Sequence, residues 1–271
     1  MNDGPVGLEG DDLGTPYLRF ERRGPLAWCV IDRPGSRNAL TSAMYFGVRR
    51  AVDLVNRDPA LAALIITGTG DVFVPGGELR GREPDRWLDF PDLLGNDCTP
   101  FEAIRRSAKP VVSAVNGLAQ GGGLLIAMLS DVAVAGESVT VRAPELLRGI
   151  ADTGYAAYLP AQIGIARARD MLLTGRVVTA REAESWGMFT RVVPDEEVLS
   201  AAEEVAIQIC RTAPQARLQI KRIVNDNYDR VDRMTFDAML FNAEMREGGR
   251  AFAERRDPDW VPPEFRTGGR F

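Results

Sequence analysis

The sequence predicts an α/β protein built from stacked β-β-α units, on three observations. A short β-branched run, a Gly-rich turn and a helical stretch follow one another at Leu64, and the same order returns at Val111. From Tyr155 onward the chain reads as almost wholly helical. Hydrophobic residues make up 45 % and charged residues 26 % of 271 residues, which suits one large globular domain with a sizeable core.

Taken in order, Tyr17 to Glu21 and Leu26 to Ile31 read as two strands around an Arg-Gly-Pro turn, and residues 33–38 as a loop. Ser42 to Asn56 places Met44, Val48, Ala51, Val52 and Val55 on one helical face. Leu64 to Thr67 reads as a buried strand that opens into GTGDVFVPGGELRG, a Gly-rich loop without period. Residues 82–98 are polar and irregular and read as a mobile segment. A short helix over Phe101 to Ala108 leads to the strand Val111 to Val115, then NGLAQGGG and an apolar helix through Met128. Val132 to Ala135 and Val139 to Val141 are strands again.

In the helical half, Thr179 and Glu182 form a capping box whose helix stops at Gly187. Arg191 to Val193 reads as the one late strand, Asp195 as the cap of a helix from Glu196 to Arg211, and Pro214 as the first turn of the next. A third amphipathic helix is expected over Val231 to Glu247. The expected organisation is a disordered tail over 1–15, a core over 16–195, a helical region over 196–255 and a loose tail over 256–271.

Several chemistries are narrowed by composition. The net charge is −5 and the pI about 5.1, which argues against a general nucleic-acid binder. The chain has no histidine, so it can form no Ser-His-Asp triad and no His-ligated zinc site. Acid–base work near neutral pH falls to carboxylates, Tyr, Lys, Cys or water, and no metal site is expected. Cys29, Cys98 and Cys210 are scattered without CxxC spacing, which points to a reducing compartment. No apolar run spans a bilayer, and the acidic, Gly-rich N-terminus lacks the features of a signal peptide, so the expectation is a cytoplasmic protein without membrane contact.

Two Gly-rich turns carry the chemical interest: Val74-Pro75-Gly76-Gly77-Glu78-Leu79 after a strand, and Gly121-Gly122-Gly123 between a strand and a helix. Each can present bare N–H groups to one oxygen, and two such donors make an oxyanion hole. Either loop alone reads more readily as a tight turn, and neither matches a P-loop or a complete GxGxxG.

The series Arg33-Pro34, Asn38-Ala39-Leu40, LIITGTGDVFVPGGEL, KPVVSAVNGLAQGGGLLIAMLSDVAVA and LLTGRVVTAREAESWGMFTRVVP resembles the crotonase family (enoyl-CoA hydratase/isomerase) over Tyr17 to Gly248. The resemblance implies a spiral of β-β-α repeats, a helical C-terminal region used in trimer assembly (homotrimer or dimer of trimers), and acyl-CoA as substrate with no separate cofactor. It implies Gly77 and Gly122 as the oxyanion donors and Glu145 as a catalytic carboxylate. It also places Ala39 and Leu79 at bound substrate, with Arg33 and Arg37 either on CoA phosphates or solvated. Where two-glutamate hydratases of this family carry their first glutamate, this chain has Leu125. Asp152 matches the position of a catalytic Asp in dienoyl-CoA isomerases and 4-chlorobenzoyl-CoA dehalogenases; it is either an acid–base partner of Glu145, a nucleophile, or the N-cap of the helix near Tyr155. The implied activity is isomerisation or hydration–dehydration of an enoyl-CoA. The alternatives are hydrolysis or dehalogenation of an acyl-CoA by nucleophilic attack of Asp152, and, from another class, a non-catalytic acyl-CoA-binding subunit. Tyr155, Tyr158, Trp87 and Trp186 read as packing residues and Glu78 as structural.

Overall fold

The computed structural model describes residues 8–78, 99–239 and 242–269. Leu79, Trp87, Cys98 and the segment expected to be mobile, 82–98, lie outside them. The described residues fall into two compact units, one of 8–78, 99–141 and 178–227, the other of 142–177, 228–239 and 242–269.

Ten strands occur among the described residues: β1 (Leu18–Arg23), β2 (Leu26–Ile31), β3 (Ala63–Gly68), β4 (Val72–Val74), β5 (Val111–Val115), β6 (Leu118–Gln120), β7 (Val132–Gly136), β8 (Thr140–Arg142), β9 (Val178–Thr179) and β10 (Arg191–Val193). They form a six-stranded sheet in the order β1-β2-β3-β5-β7-β10 and a four-stranded sheet in the order β4-β6-β8-β9. The repeat expected from sequence is visible in this order. Each of β3, β5 and β7 joins the larger sheet in parallel, and the strand that follows it crosses to the smaller one. The register Leu64↔Val111 and Val112↔Val132 stacks successive units, while Val72↔Leu118 does the same for the short strands.

Strand alternation fixes which side chains enter the core. Leu26, Trp28 and Val30 of β2, Ala63 and Ile65 of β3, Val112 and Ala114 of β5, and Val134 of β7 form one face. The helix Val198–Cys210 covers it with Val198, Ala202, Val205 and Ala206, spaced at three and four residues. Each large side chain buried there contributes about 1.5–3 kcal/mol. The helix Ser42–Arg57 buries Met44, Val48, Ala51, Val52 and Val55, the face its sequence pattern predicts, and Thr41 caps it by accepting the Met44 N–H at 3.1 Å.

The second unit is helical: Thr153–Ile163, Ile165–Thr174, Arg233–Met239 and Ala243–Glu254, with a one-turn 3-10 helix at Glu145–Arg148. Close backbone approach sets that turn. A Cβ on Gly248 would lie 2.2 Å from the Arg148 carbonyl oxygen, so only glycine lets the helix Ala243–Glu254 sit against it.

Several expectations are corrected. The helix expected over Val231 to Glu247 is two helices, because Asn242 starts a new one by accepting the Met245 N–H at 2.7 Å. Asp195 does not cap its helix; a 3-10 turn, Asp195–Glu197, comes first, and the carboxylate accepts the Ser138 N–H at 3.0 Å. Arg191–Val193 is not the one late strand, since β9 precedes it. Residues 8–15 do not continue a disordered tail: Leu13 is buried, and Arg50 donates to the carbonyls of Leu8, Gly10 and Asp12. Residues 257–269 are not loose either. Buried Asp257 accepts the N–H groups of Thr267 (2.9 Å), Gly268 (2.6 Å) and Gly269 (3.1 Å).

Candidate active site

In the first unit the two glycine turns are brought together. β4 and β6 run parallel, so the turns that leave them emerge side by side. A further bridge ties Leu40 to Gly77: the Leu40 N–H donates to Gly76 O at 2.9 Å and the Glu78 N–H to Leu40 O at 2.8 Å. A parallel bridge of this form uses the neighbours of Gly77, which leaves the Gly77 N–H directed to the opposite side. Gly122 opens the helix Gly122–Leu129, where the first N–H groups have no intrahelical acceptor and the helix dipole favours negative charge.

Tyr45, in the first turn of Ser42–Arg57, packs against both glycines. Its hydroxyl lies 3.4 Å from where a Cβ on Gly77 would stand and 2.1 Å from the same point on Gly122. Sequence reasoning missed this residue. The available signal was its place, just inside the helix that follows the Asn38-Ala39-Leu40 loop.

The loop under Gly77 is held by a buried polar set. Asn38 adopts a left-handed backbone (φ 63) and accepts the Arg33 N–H at 2.9 Å, while its amide donates to Thr69 O at 3.0 Å and Val72 O at 2.7 Å. The Arg33 guanidinium donates to Ala39 O at 2.8 Å and pairs with Glu78 at 3.3 Å, with side-chain exposures of 8 % and 13 %. Arg33 is therefore not a solvated surface residue, and it stacks over Tyr17. Ala39 is half-buried and held through its carbonyl, and Arg37 is exposed. Arg33→Ala is expected to cost about 3–5 kcal/mol, because Glu78 would be left without this buried partner. Denaturant unfolding checks this, and a loss below about 1 kcal/mol would show that the pair carries little.

The second unit brings Glu145 and Asp152 to one cavity of ≈ 230 Å³, whose other walls include Leu146, Ile150, Tyr155 and Leu172. Glu145 is half-buried as a residue, but its Oε2 is shielded from solvent and has no hydrogen-bond partner. Burial pushes its carboxyl up to about 8, and the nearby Asp152 charge adds to this; its own backbone N–H, Arg148 and Arg142 pull the other way. Asp152 caps the helix Thr153–Ile163, with Oδ1 accepting the N–H groups of Gly154 (2.9 Å) and Tyr155 (3.2 Å). Burial raises its pKa, and those two N–H bonds oppose the rise. The capping role is thus present, on a residue that also lines the cavity. Thr153 lines it too, and its buried Oγ1 has no partner; sequence reasoning gave it no role. Tyr155 and Tyr158 are buried packing residues, and Trp186 is half-buried.

The Glu145 shift carries a stability consequence with a definite sign. The folded pKa of about 8 exceeds the ordinary 4.5, so between these values the folded state holds a proton that the unfolded state releases. Stability from this group is intact below pH 4.5 and is lost as pH rises through about 8. The stability of Glu145→Gln relative to the parent is expected to improve by about 2–4 kcal/mol across that window. Thermal unfolding of both proteins at the two ends checks it; a pH-independent gap would place Glu145 in water.

The stacked parallel β-β-α units define the class of fold, a repeat-built α/β protein. Comparison with known proteins makes this specific. A family model described as "Enoyl-CoA hydratase/isomerase" matches residues 21–263. The chain is 32 % identical over 249 residues to a "Probable enoyl-CoA hydratase, mitochondrial" of Dictyostelium discoideum, covering 89 % of each chain. It is 34 % identical to a carnitinyl-CoA dehydratase of Salmonella arizonae, covering 90 % of this chain and 97 % of that one. Among solved structures, a carnitinyl-CoA hydratase from Mycobacterium avium superposes with a TM-score of 0.76 at 32 % identity, covering 91 % and 98 %. The chain belongs to the enoyl-CoA hydratase/isomerase family and is an enzyme with the crotonase fold. Among the described residues, no helix is long and apolar enough to cross a membrane.

Proposed function

We propose that the protein catalyses hydration of a 2-enoyl-CoA and the reverse dehydration, through an enolate whose oxygen is held by the Gly77 and Gly122 N–H groups. The observation that carries this reading is the pair Glu145 and Asp152 in one apolar cavity, where burial raises both carboxyls and two backbone N–H bonds oppose the rise at Asp152 alone. In hydration, the water oxygen bonds to C3 and its proton passes to the Asp152 carboxylate. The C2=C3 electron pair moves into the thioester enolate, and the Glu145 carboxyl gives its proton to C2. Dehydration reverses each step. The relatives named for enoyl-CoA and carnitinyl-CoA support a hydratase–dehydratase chemistry.

Double-bond migration is the second reading, favoured by Leu125 where two-glutamate members carry a carboxylate. There Glu145 alone would take a proton from C4 or C2 and return it to the other carbon. The test supplies a 2-enoyl-CoA and a 3-enoyl-CoA separately and follows the absorbance of the conjugated thioester. Loss with the first supports hydration, gain with the second supports migration, and no change with either overturns both.

Arg37, Ala39 and Leu79 stay with the substrate in this reading, Arg37 as an exposed cation for a CoA phosphate, while the Arg33 guanidinium is engaged by Ala39 O and Glu78. Self-association into a homotrimer, or a dimer of trimers, is part of the proposal. The helix Pro214–Asn225 supports it with Ile220, Ile223 and Val224 each about 60 % exposed. A cytoplasmic location is also proposed, supported by the free thiols of Cys29 and Cys210.

A further inference from the structure

Two buried polar atoms in the described cavity lack a partner, Glu145 Oε2 and Thr153 Oγ1. A polar atom left unsatisfied away from water costs about 1–3 kcal/mol, so each calls for an explanation. The proposed chemistry already explains the first. A carboxyl that exchanges its proton with a carbon needs an open face toward that carbon, not a hydrogen-bonding neighbour. Nothing in that chemistry explains the second. A hydroxyl bonds to oxygen or nitrogen, and apart from Glu145 and Asp152 the side chains that line the cavity are chiefly apolar, among them Leu146, Ile150, Ala156 and Leu172.

We propose that Thr153 binds the reacting oxygen, holding the water that attacks C3 in hydration and the C3 hydroxyl in dehydration. The inference rests on the hydration reading given above and adds a residue to it. Thr153 immediately follows Asp152, so the group that binds the oxygen and the group that takes its proton come from adjacent residues at one helix start. The cap bonds from Gly154 and Tyr155 hold that start in place. In this arrangement a neutral hydroxyl orients the water and the neighbouring Asp152 carboxylate takes its proton. Double-bond migration uses no water, so it would proceed without Thr153.

The test uses the full chain with Thr153→Val, which keeps the shape and removes the hydroxyl, and Thr153→Ser, which keeps the hydroxyl. Two readouts are taken. The first is hydration of a short 2-enoyl-CoA: Thr153→Val is expected to lower kcat about 10–100-fold with KM within about 3-fold, and Thr153→Ser to recover most of the loss. The second readout is binding, with Glu145→Gln added to parent and variant alike so that turnover is suppressed. The parent should bind a 3-hydroxyacyl-CoA about 3–10-fold more tightly than the saturated acyl-CoA of equal length, as one hydrogen bond provides, and Thr153→Val should erase that preference. Equal affinities in the parent, or a preference retained in Thr153→Val, would overturn the assignment. A parent that shows the preference yet hydrates nothing would leave Thr153 as the oxygen-binding residue and remove the hydration reading instead.

Discussion

Replacing Glu145 by Gln is expected to lower kcat on the best enoyl-CoA by about 10²–10⁴-fold, the range general acid–base groups contribute. Gln keeps the shape of the side chain and cannot exchange a proton with carbon, so KM should stay within about 3-fold. The pH profile of the parent gives an independent check. Glu145 must be protonated to deliver to C2, and its carboxyl sits at about 8, so hydration should fall as pH rises past that value. Dehydration draws on the other protonation states of the pair and should not share the same limb. A profile flat to well above pH 8 in the hydration direction would remove Glu145 as the acid.

Gly122→Ala is expected to be the second most damaging change, lowering kcat by about 10²–10³-fold, as loss of one oxyanion donor does. The added Cβ would stand 2.1 Å from the Tyr45 hydroxyl and 2.9 Å from two of its ring carbons, so the turn or the ring must shift. Gly77→Ala meets the same hydroxyl at 3.4 Å, which is ordinary contact. The contrast separates geometry from general damage: Gly122→Ala should lose far more activity than Gly77→Ala. Equal losses would mean that the tyrosine contact does not set the turn. Steady-state kinetics of the two variants, with circular dichroism to confirm folding, decides between them.

Elements with period were legible in the sequence. The helix Ser42–Arg57 and strands Leu26–Ile31 and Val111–Val115 follow directly from their patterns, because each buries a continuous face. The three-residue strands Val72–Val74 and Leu118–Gln120 look like loop in the sequence, since three residues carry no period and their pairing is long-range. The same limit hid the break at Asn242, where a cap interrupts an apolar pattern that continues across it. At the candidate site, Glu145, Asp152 and the glycines were named because their residue types and order suggest chemistry. Tyr45 and Thr153 carry no such signal. The first matters through contact with residues 32 and 77 positions away, and the second through an unfilled hydrogen bond that only a folded cavity reveals. Arg33 shows the converse: an arginine in a polar loop reads as solvated, and its burial against Glu78 depends on where β4 ends.

The central claim is proton exchange at C2 by Glu145 with the enolate oxygen on the glycine N–H groups. The most direct measurement is deuterium incorporation into a 3-hydroxyacyl-CoA incubated with the protein in D2O, read by mass spectrometry. The parent should place deuterium at C2, Glu145→Gln should place none within the same time, and Gly122→Ala should be strongly slowed. Undiminished incorporation by Glu145→Gln would contradict the account.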